Sequence, residues 1–406
     1  MNYGQITRVV VPVVAAAATT AIVAPMIADA LSTDAPPEPD PMPAPPDSDA
    51  TDGAQLVEPA PAPEPEPAPA PEPAPVPAPA PEPAEPARRT YMNPVFDGNA
   101  PDPTVVRADD GNFYAYTTET DGLKFQVLKS KDLTSWKRVG SAFAGEGPAW
   151  IKEHRWAPDV KRTGDHYTML YSGRGHDGQM KIGYATSKDA QGPFDDRGVL
   201  VEGNSGGYFI DPALVETPGG WKLLYGSTGG NSAADQTGIS EVGVQIAADG
   251  SMKVGGDAKV VLSETGERYL VEGAWMHERD GSWYLFYSDG KWDAKGGADD
   301  YAVKVARADN PNGPFEKLGT PIMSQGGGFT STGHNAIVTD DAGQDWMLYH
   351  GWSPDPSKGR VLLLDPITWK NGWPQVDQGK GPSNSAMVAP VIAAIDGADA
   401  VASSGS

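Results

Sequence analysis

The stretch Tyr269–Ser288, YLVEGAWMHERDGSWYLFYS, reads as a β-hairpin. Its first strand carries one acidic residue near the start, Glu272. An Asp280-Gly281 turn follows, and the second strand is rich in aromatics, Trp283, Tyr284, Phe286 and Tyr287. Asp-Gly between two apolar runs is a strong short-range signal for a tight hairpin turn. The unit recurs four times. Asp102 precedes Gly111 and FYAYTT, Asp159 precedes Gly164 and HYTMLYSG, Asp211 precedes Gly219 and WKLLYGS, and His334 precedes Gly343 and WMLYHG. Successive turn glycines are 53 to 62 residues apart. One hairpin is too small to bury its own face, so five copies predict a repeat architecture in which neighbours supply the core.

Between the hairpins lie further strands with partly alternating apolar and polar residues: KFQVLKS (124–130), MKIGYATS (180–187), VGVQIAA (242–248), YAVKVARA (301–308) and RVLLLDP (360–366). Each is followed by a turn and a weaker strand, and no segment has a long helical period. ATSKDAQGPFDD (185–196) and ARADNPNGPFEK (306–317) share a Gly-Pro-Phe, a second echo of the repeat. Five four-stranded units closing radially make an all-β, five-bladed β-propeller, which leaves only short edges. A two-sheet sandwich would leave the period unexplained.

The 406 residues, 39% of them hydrophobic, suffice for one large domain. There is no cysteine, which excludes disulfides and thiolate chemistry. The net charge of −23 is shared with residues 34–87, which carry 12 acids and no base. An acidic chain is a poor match for nucleic acid, whose phosphates need clustered Lys and Arg. Residues 1–30 run from Arg8 through a Val/Ala/Ile stretch to Ala28-Asp29-Ala30, the pattern of a secretory signal peptide. An uncleaved anchor is the alternative, and only then is a membrane a partner; Pro12, Pro25 and the small-residue site favour cleavage. The protein is therefore expected to be secreted or held at the cell envelope. Residues 31–87 have proline at almost every second position from Pro59 to Pro83 and read as a disordered, extended spacer. The propeller is expected over residues 88–391, and 392–406 as a flexible tail.

In a propeller the first strand of each blade lines the central axis. Asp102, Asp159, Asp211, Glu272 and His334 would then converge on one end of the channel. Any one of them alone reads as a strand cap or an inter-blade hydrogen bond. Five together are expensive to desolvate and point to a site. Carboxylates beside aromatics suit glycosidic bond cleavage, which needs one carboxylic acid to protonate the leaving oxygen and one carboxylate to activate water or attack carbon. A third acid nearby helps keep the proton donor neutral.

The segments APDPTVVR (100–107), SKDLTSW (130–136), RWAPDV (155–160), FIDPAL (209–214), VEGAW (271–275), GHNAIV (333–338) and YHG with GR (349–351, 359–360) resemble glycoside hydrolase family 43. The resemblance runs over nearly all of residues 91–376. Members are five-bladed propeller arabinanases, arabinofuranosidases, β-xylosidases and galactofuranosidases. For this chain it implies an inverting glycosidase acting on a poly- or oligosaccharide, with arabinofuranosyl linkages foremost and xylosides or galactofuranosides as alternatives. Position by position, it implies Asp102 as general base, Glu272 as general acid and Asp211 as the carboxylate that tunes the acid's pKa and orients substrate. Inversion requires acid and base about 6.5–9.5 Å apart. The resemblance also implies that Arg360 contacts substrate. No cofactor is required for the chemistry, but His334 matches a histidine that helps hold calcium or another ion through waters. Members usually have Glu-Ala-Pro or Glu-Gly-Pro at the acid, where this chain has Glu272-Gly273-Ala274.

Trp156 and Asp159, in Trp-Ala-Pro-Asp, are expected at the rim of the site as substrate-binding residues, although Trp156 suits inter-blade packing equally. His350, at a strand end, reads as structural. The loops Gly203–Tyr208, Gly229–Gly238 and Gly290–Asp300 are expected to set pocket depth. A retaining relative of the invertase type would carry Arg-Asp-Pro and Asn-Asp-Pro-Asn-Gly motifs, and neither is evident. A non-catalytic, lectin-like propeller would lack one of the three acids, and all three are present.

Overall fold

The computed structural model describes residues 88–393 apart from 204–207, 229–235, 264, 266, 268, 269 and 380. The expected signal peptide and spacer, and residues 394–406 of the expected tail, lie outside the described residues. Each hairpin opens a four-stranded antiparallel sheet with its strands in chain order, giving a five-bladed propeller. Blade I comprises Thr104–Arg107, Phe113–Thr117, Gln126–Ser130 and Trp136–Ser141, and blade II Ile151–Thr163, His166–Gly175, Met180–Ser187 and Asp195–Val201. Blade III comprises Phe209–Thr217, Gly220–Thr228, Gln236–Ile246 and Met252–Ser263. Blade IV has Leu270–Arg279, Ser282–Gly290, Ala302–Ala308 and Glu316–Lys317, and blade V Thr330–Thr339, Asp345–Trp352, Arg360–Lys370 and Trp373–Val376.

The period-two alternation of a strand decides how the blades pack. In the second strand of blade IV, Tyr284 and Phe286 enter the apolar layer shared with blade V, while Leu285 and Tyr287 enter the layer shared with blade III. Phe113 and Ala115 likewise face blade V, and Tyr114 and Tyr116 face blade II. Both faces of a blade are thus buried, and the core is a set of inter-blade layers. The ring is closed by the two ends of the domain. Thr90–Tyr91 pairs with Met387–Val388, and the Asn93 side chain brackets Leu364, donating to its carbonyl at 3.0 Å and accepting from its N–H at 2.9 Å. Ile392 is 1% exposed in the layer between blades I and V, and the Ala393 N–H donates to Asp341 at 2.8 Å. The packed domain therefore runs past the boundary expected at 391, because an apolar side chain finds a buried seat there.

In blades II to V the first strand skips a pair of residues of its ladder at the axis. The skipped pairs are Ala157-Pro158, Asp211-Pro212, Gly273-Ala274 and His334-Asn335. Asp102-Pro103 is the blade I counterpart, lying between Pro101, which accepts the Thr118 N–H, and the first paired residue, Thr104. The first residue of every pair is left-handed, with φ of 55° at Asp102, 37° at Ala157, 55° at Asp211, 61° at Gly273 and 51° at His334. Four of these five are not glycine, so the bulge stores strain at the axis.

The backbone N–H of each bulge residue is held by the neighbouring blade. Thr118 Oγ1 accepts from Ala157 at 2.8 Å, Ser172 Oγ from Asp211 at 2.9 Å, Ser288 Oγ from His334 at 2.8 Å, and His350 Nδ1 from Asp102 at 3.0 Å. At the fifth junction the corresponding residue, opposite Ile210, is Gly226, which has no side chain to offer. There the Gly273 N–H donates to Asp211 Oδ2 at 3.2 Å instead.

This register corrects part of the sequence reading. The axial bulge residue of blade II is Ala157, two positions before Asp159, and that of blade IV is Gly273, one position after Glu272. The prolines at 103, 158 and 212 mark the true alignment, whereas the distance to the turn glycine varies with hairpin length.

Candidate active site

The first strands converge on a pocket of about 310 Å³. Its lining includes Asp102, Asp211, Glu272, Trp156 and Arg360, all singled out above, together with Thr118, Tyr208, Ile210, Leu270 and Trp292. Pockets of this size suit small ligands, and the mix of aromatic walls with a few convergent polar groups is typical of them.

Asp102 stands among charged and polar partners. Arg360 Nη1 donates to its Oδ1 at 2.8 Å and the Thr118 hydroxyl to its Oδ2 at 2.6 Å. His334 Nδ1 and His350 Nδ1 lie 3.6 and 3.4 Å from Oδ1. Burial by itself would raise this carboxyl, but Arg360, then His334 and His350, and the Thr118 hydrogen bond outweigh it and hold it well below the ordinary range. Asp102 is ionised at any working pH.

Glu272 is 7% exposed and has a different set of neighbours. Burial is the main cause that pushes its carboxyl up to about 7, with the Asp102 charge adding to it; a hydrogen bond from Tyr301, at 2.7 Å to Oε1, and the Arg360 charge pull the other way. Asp211 is raised too, by burial first and then by the charges of Glu272 and Asp102. Two buried carboxyls of like charge titrate as a pair, so this pair retains a proton above the pH at which a free carboxyl has lost it. The missing side chain at Gly226 contributes to the geometry, since it leaves the Gly273 N–H to draw in Asp211 Oδ2, one residue from the acid.

His334 is outside the pocket lining, with Nδ1 3.6 Å from Asp102 and 3.7 Å from Asp211. Burial lowers its pKa against the opposing pull of the Asp102 charge, and its ring stands beside both carboxyls. Asp159 does not sit at the rim. It is 3% exposed, and its carboxylate accepts from Thr104 Oγ1 of blade I at 2.9 Å and from the Leu214 N–H of blade III at 2.7 Å. It ties three blades together, because a buried carboxylate must find donors where it lies. His350, read from sequence as structural, is fully buried and supports Asp102 directly. Thr118, Tyr301 and Trp292 had no signal of their own. Trp292 and Tyr208 do lie within the loops expected to shape the pocket.

The profile of glycosyl hydrolases family 43 matches residues 91–374. The chain is 28% identical over 275 residues to a β-D-galactofuranosidase of Aspergillus niger, covering 64% of this chain and 75% of that protein. It is 26% identical over 307 residues to a non-reducing end α-L-arabinofuranosidase of Bacteroides ovatus, covering 71% of this chain; it spans about half (54%) of that relative's length. Among solved structures, that of a thermostable family-43 glycoside hydrolase superposes with a TM-score of 0.63 at 27% identity, covering 74% of this chain and 99% of that one. The profile match runs from Tyr91 in the closing ribbon to Pro374 in the last strand of blade V, and on that extent the chain belongs to glycosyl hydrolases family 43: it is a glycosidase.

Proposed function

We propose that the chain is an exported, inverting glycosidase that hydrolyses arabinofuranosyl linkages in a poly- or oligosaccharide. Glu272 is its general acid, Asp102 its general base, and Asp211 the group that sets the acid's hold on its proton. One observation carries this reading: two carboxyls line the same pocket in opposite surroundings, Asp102 accepting from the Arg360 guanidinium and the Thr118 hydroxyl, and Glu272 accepting from the Tyr301 phenol. Glu272 gives its proton to the glycosidic oxygen as the bond to the anomeric carbon breaks. Asp102 takes a proton from the water whose oxygen attacks that carbon from the other face, so configuration inverts. Arg360 keeps the base ionised and lines the sugar's wall, and Trp156 offers a flat apolar face to the ring. The arabinofuranoside named for the Bacteroides relative supports the choice of sugar, and the galactofuranoside named for the Aspergillus relative supports a furanose ring.

An ion near His334 belongs to the same proposal. Among the described residues no three His, Asp or Glu side chains are grouped to hold a metal directly. Such an ion would therefore be held through water, with His334 and the Asn335 amide, whose two polar atoms are buried without a partner among the described residues, as the groups that fit it. Its contribution would be electrostatic, favouring the ionised forms of nearby carboxyls. Export rests on the signal-like residues 1–30 and is tested by N-terminal sequencing of the mature protein.

The substrate test incubates the full chain and its Glu272→Gln variant with arabinan, xylan and a galactofuranan, following released sugar and its first-formed anomer by NMR. Inverted arabinose that disappears in the variant is expected. Release of xylose or galactofuranose would move the substrate assignment, and retained configuration would overturn the role of Asp102.

A further inference from the structure

We infer that Tyr301 is the positioning residue of the general acid, a role that rests on the reading of Glu272 above. Its hydroxyl donates to Glu272 Oε1 at 2.7 Å. Three contacts aim it. The preceding residue, Asp300, is clamped to blade V, accepting the Ser331 N–H at 2.8 Å and its hydroxyl at 2.7 Å. The Tyr301 ring lies flat on His350, with 5.9 Å between centroids and 9° between planes. Its edge passes over Gly333, where a Cβ would come within 2.3 Å of the ring, so that position must stay glycine.

The chemical consequence follows from hydrogen-bond directions. A protonated carboxyl has one O–H to give. With Oε1 occupied as acceptor of the Tyr301 hydrogen, the carboxyl's own proton resides on Oε2, the oxygen left for the leaving group. Tyr301 is 1% exposed, and burial, reinforced by the charges of Glu272, Asp211 and Asp102, drives its phenol far above the ordinary range. It is therefore a donor at every working pH and never competes as a proton acceptor. It touches the acid and is not part of the pocket lining, which makes it a positioning residue. The stack also reaches the base, because His350 Nδ1 holds the Asp102 N–H.

The charged and titratable groups around Glu272 are Tyr301 from its own blade, Asp211 from blade III, Asp102 from blade I and Arg360 from blade V; His334, also of blade V, packs against the site of Gly273. Of these, only Tyr301 donates a hydrogen bond to the acid. Removing it takes away a contact that favours the ionised carboxylate, so the acid keeps its proton to higher pH.

The test compares full-length wild type, Tyr301→Phe and Glu272→Gln on the phenyl and 2,4-dinitrophenyl glycosides of arabinofuranose, xylose and galactofuranose. The dinitrophenolate leaves without a proton, whereas the phenolate needs one. Tyr301→Phe is expected to lower kcat on the phenyl glycoside roughly tenfold, a fraction of the 10²–10⁴ that a general acid supplies. It should leave the dinitrophenyl rate near wild type, with KM little changed. The basic limb of the kcat/KM profile should move to higher pH. The ratio of the two rates does not depend on how much protein is folded, so a loss of stability cannot mimic the effect. Equal losses on both glycosides with an unmoved basic limb, or no loss on either, would overturn the role of Tyr301. If Glu272→Gln cleaves the phenyl glycoside like wild type, it is the acid assignment that fails, and the role of Tyr301 with it.

Discussion

The two walls of the pocket bury the same functional group and give it opposite chemistry. On the blade I and V side, Asp102 meets a guanidinium, two imidazoles and a hydroxyl, and stays charged. On the blade III and IV side, Glu272 meets a phenol and a second carboxyl, and stays protonated to about pH 7. Burial acts on both. What differs most is the fixed positive charge of Arg360, which hydrogen-bonds Asp102 and not Glu272, with the remaining neighbours adding to the contrast.

The comparison breaks most visibly if the acid or the base is neutralised. Glu272→Gln and Asp102→Asn are each expected to lower kcat by about 10²–10⁴ on substrates with unactivated leaving groups. Only the Glu272 variant should recover on a dinitrophenyl glycoside. Steady-state kinetics on the two glycosides decides it, and equal behaviour of the variants would erase the distinction between the walls.

A smaller effect is expected from Arg360→Met. Without the guanidinium, burial dominates at Asp102 and its pKa rises, so the acid limb of the kcat/KM profile should move to higher pH. The basic limb in wild type should lie near 7, where Glu272 loses its proton. An acid limb unchanged in the Met variant would show that the histidines and Thr118 suffice to hold the charge.

The walls should differ in stability as well. Glu272 binds its proton more tightly folded than unfolded, where its ordinary value is 4.5. Its contribution is then fully present below about 4.5 and is lost as pH rises through about 7. Asp102 has the reverse sign, and its contribution is lost only in strong acid. The slope of melting temperature against pH between those values should therefore flatten in Glu272→Gln, and a slope equal to wild type would contradict the raised pKa.

The smallest change concerns the strand that carries the acid. Blades I to III have proline as the second bulge residue, and blade IV has Ala274. Since left-handed residues precede proline at Asp102, Ala157 and Asp211, the backbone at Gly273 is suited to it. Ala274→Pro is expected to stabilise by about 0.4–1 kcal/mol through the unfolded state, with activity intact. Thermal unfolding checks this, and a lowered melting temperature would mean that the Ala274 N–H is in use.

Much of this was legible in the chain itself. Turn glycines, aromatic second strands and the Pro103, Pro158 and Pro212 echoes are local signals, and each reports on its own few residues. The three carboxylates stood out because charge on an axial strand is costly wherever the strand goes. Asp159 misled because it also opens a hairpin, and only the pairing of Trp156 with Ser172 reveals that the bulge lies before it. Tyr301 and His350 were silent because an aromatic at a strand end looks the same whether it fills a core or holds an acid.

Alternation and turn chemistry act between near neighbours, so the order of residues already implied five four-stranded blades and named the strands that line the axis. The protonation state of each carboxyl was decided by the tertiary structure alone. Arg360 is 258 residues from Asp102 and Tyr301 is 29 from Glu272. The charge on a buried group is set by what surrounds it, and closing the ring is what brings those surroundings together.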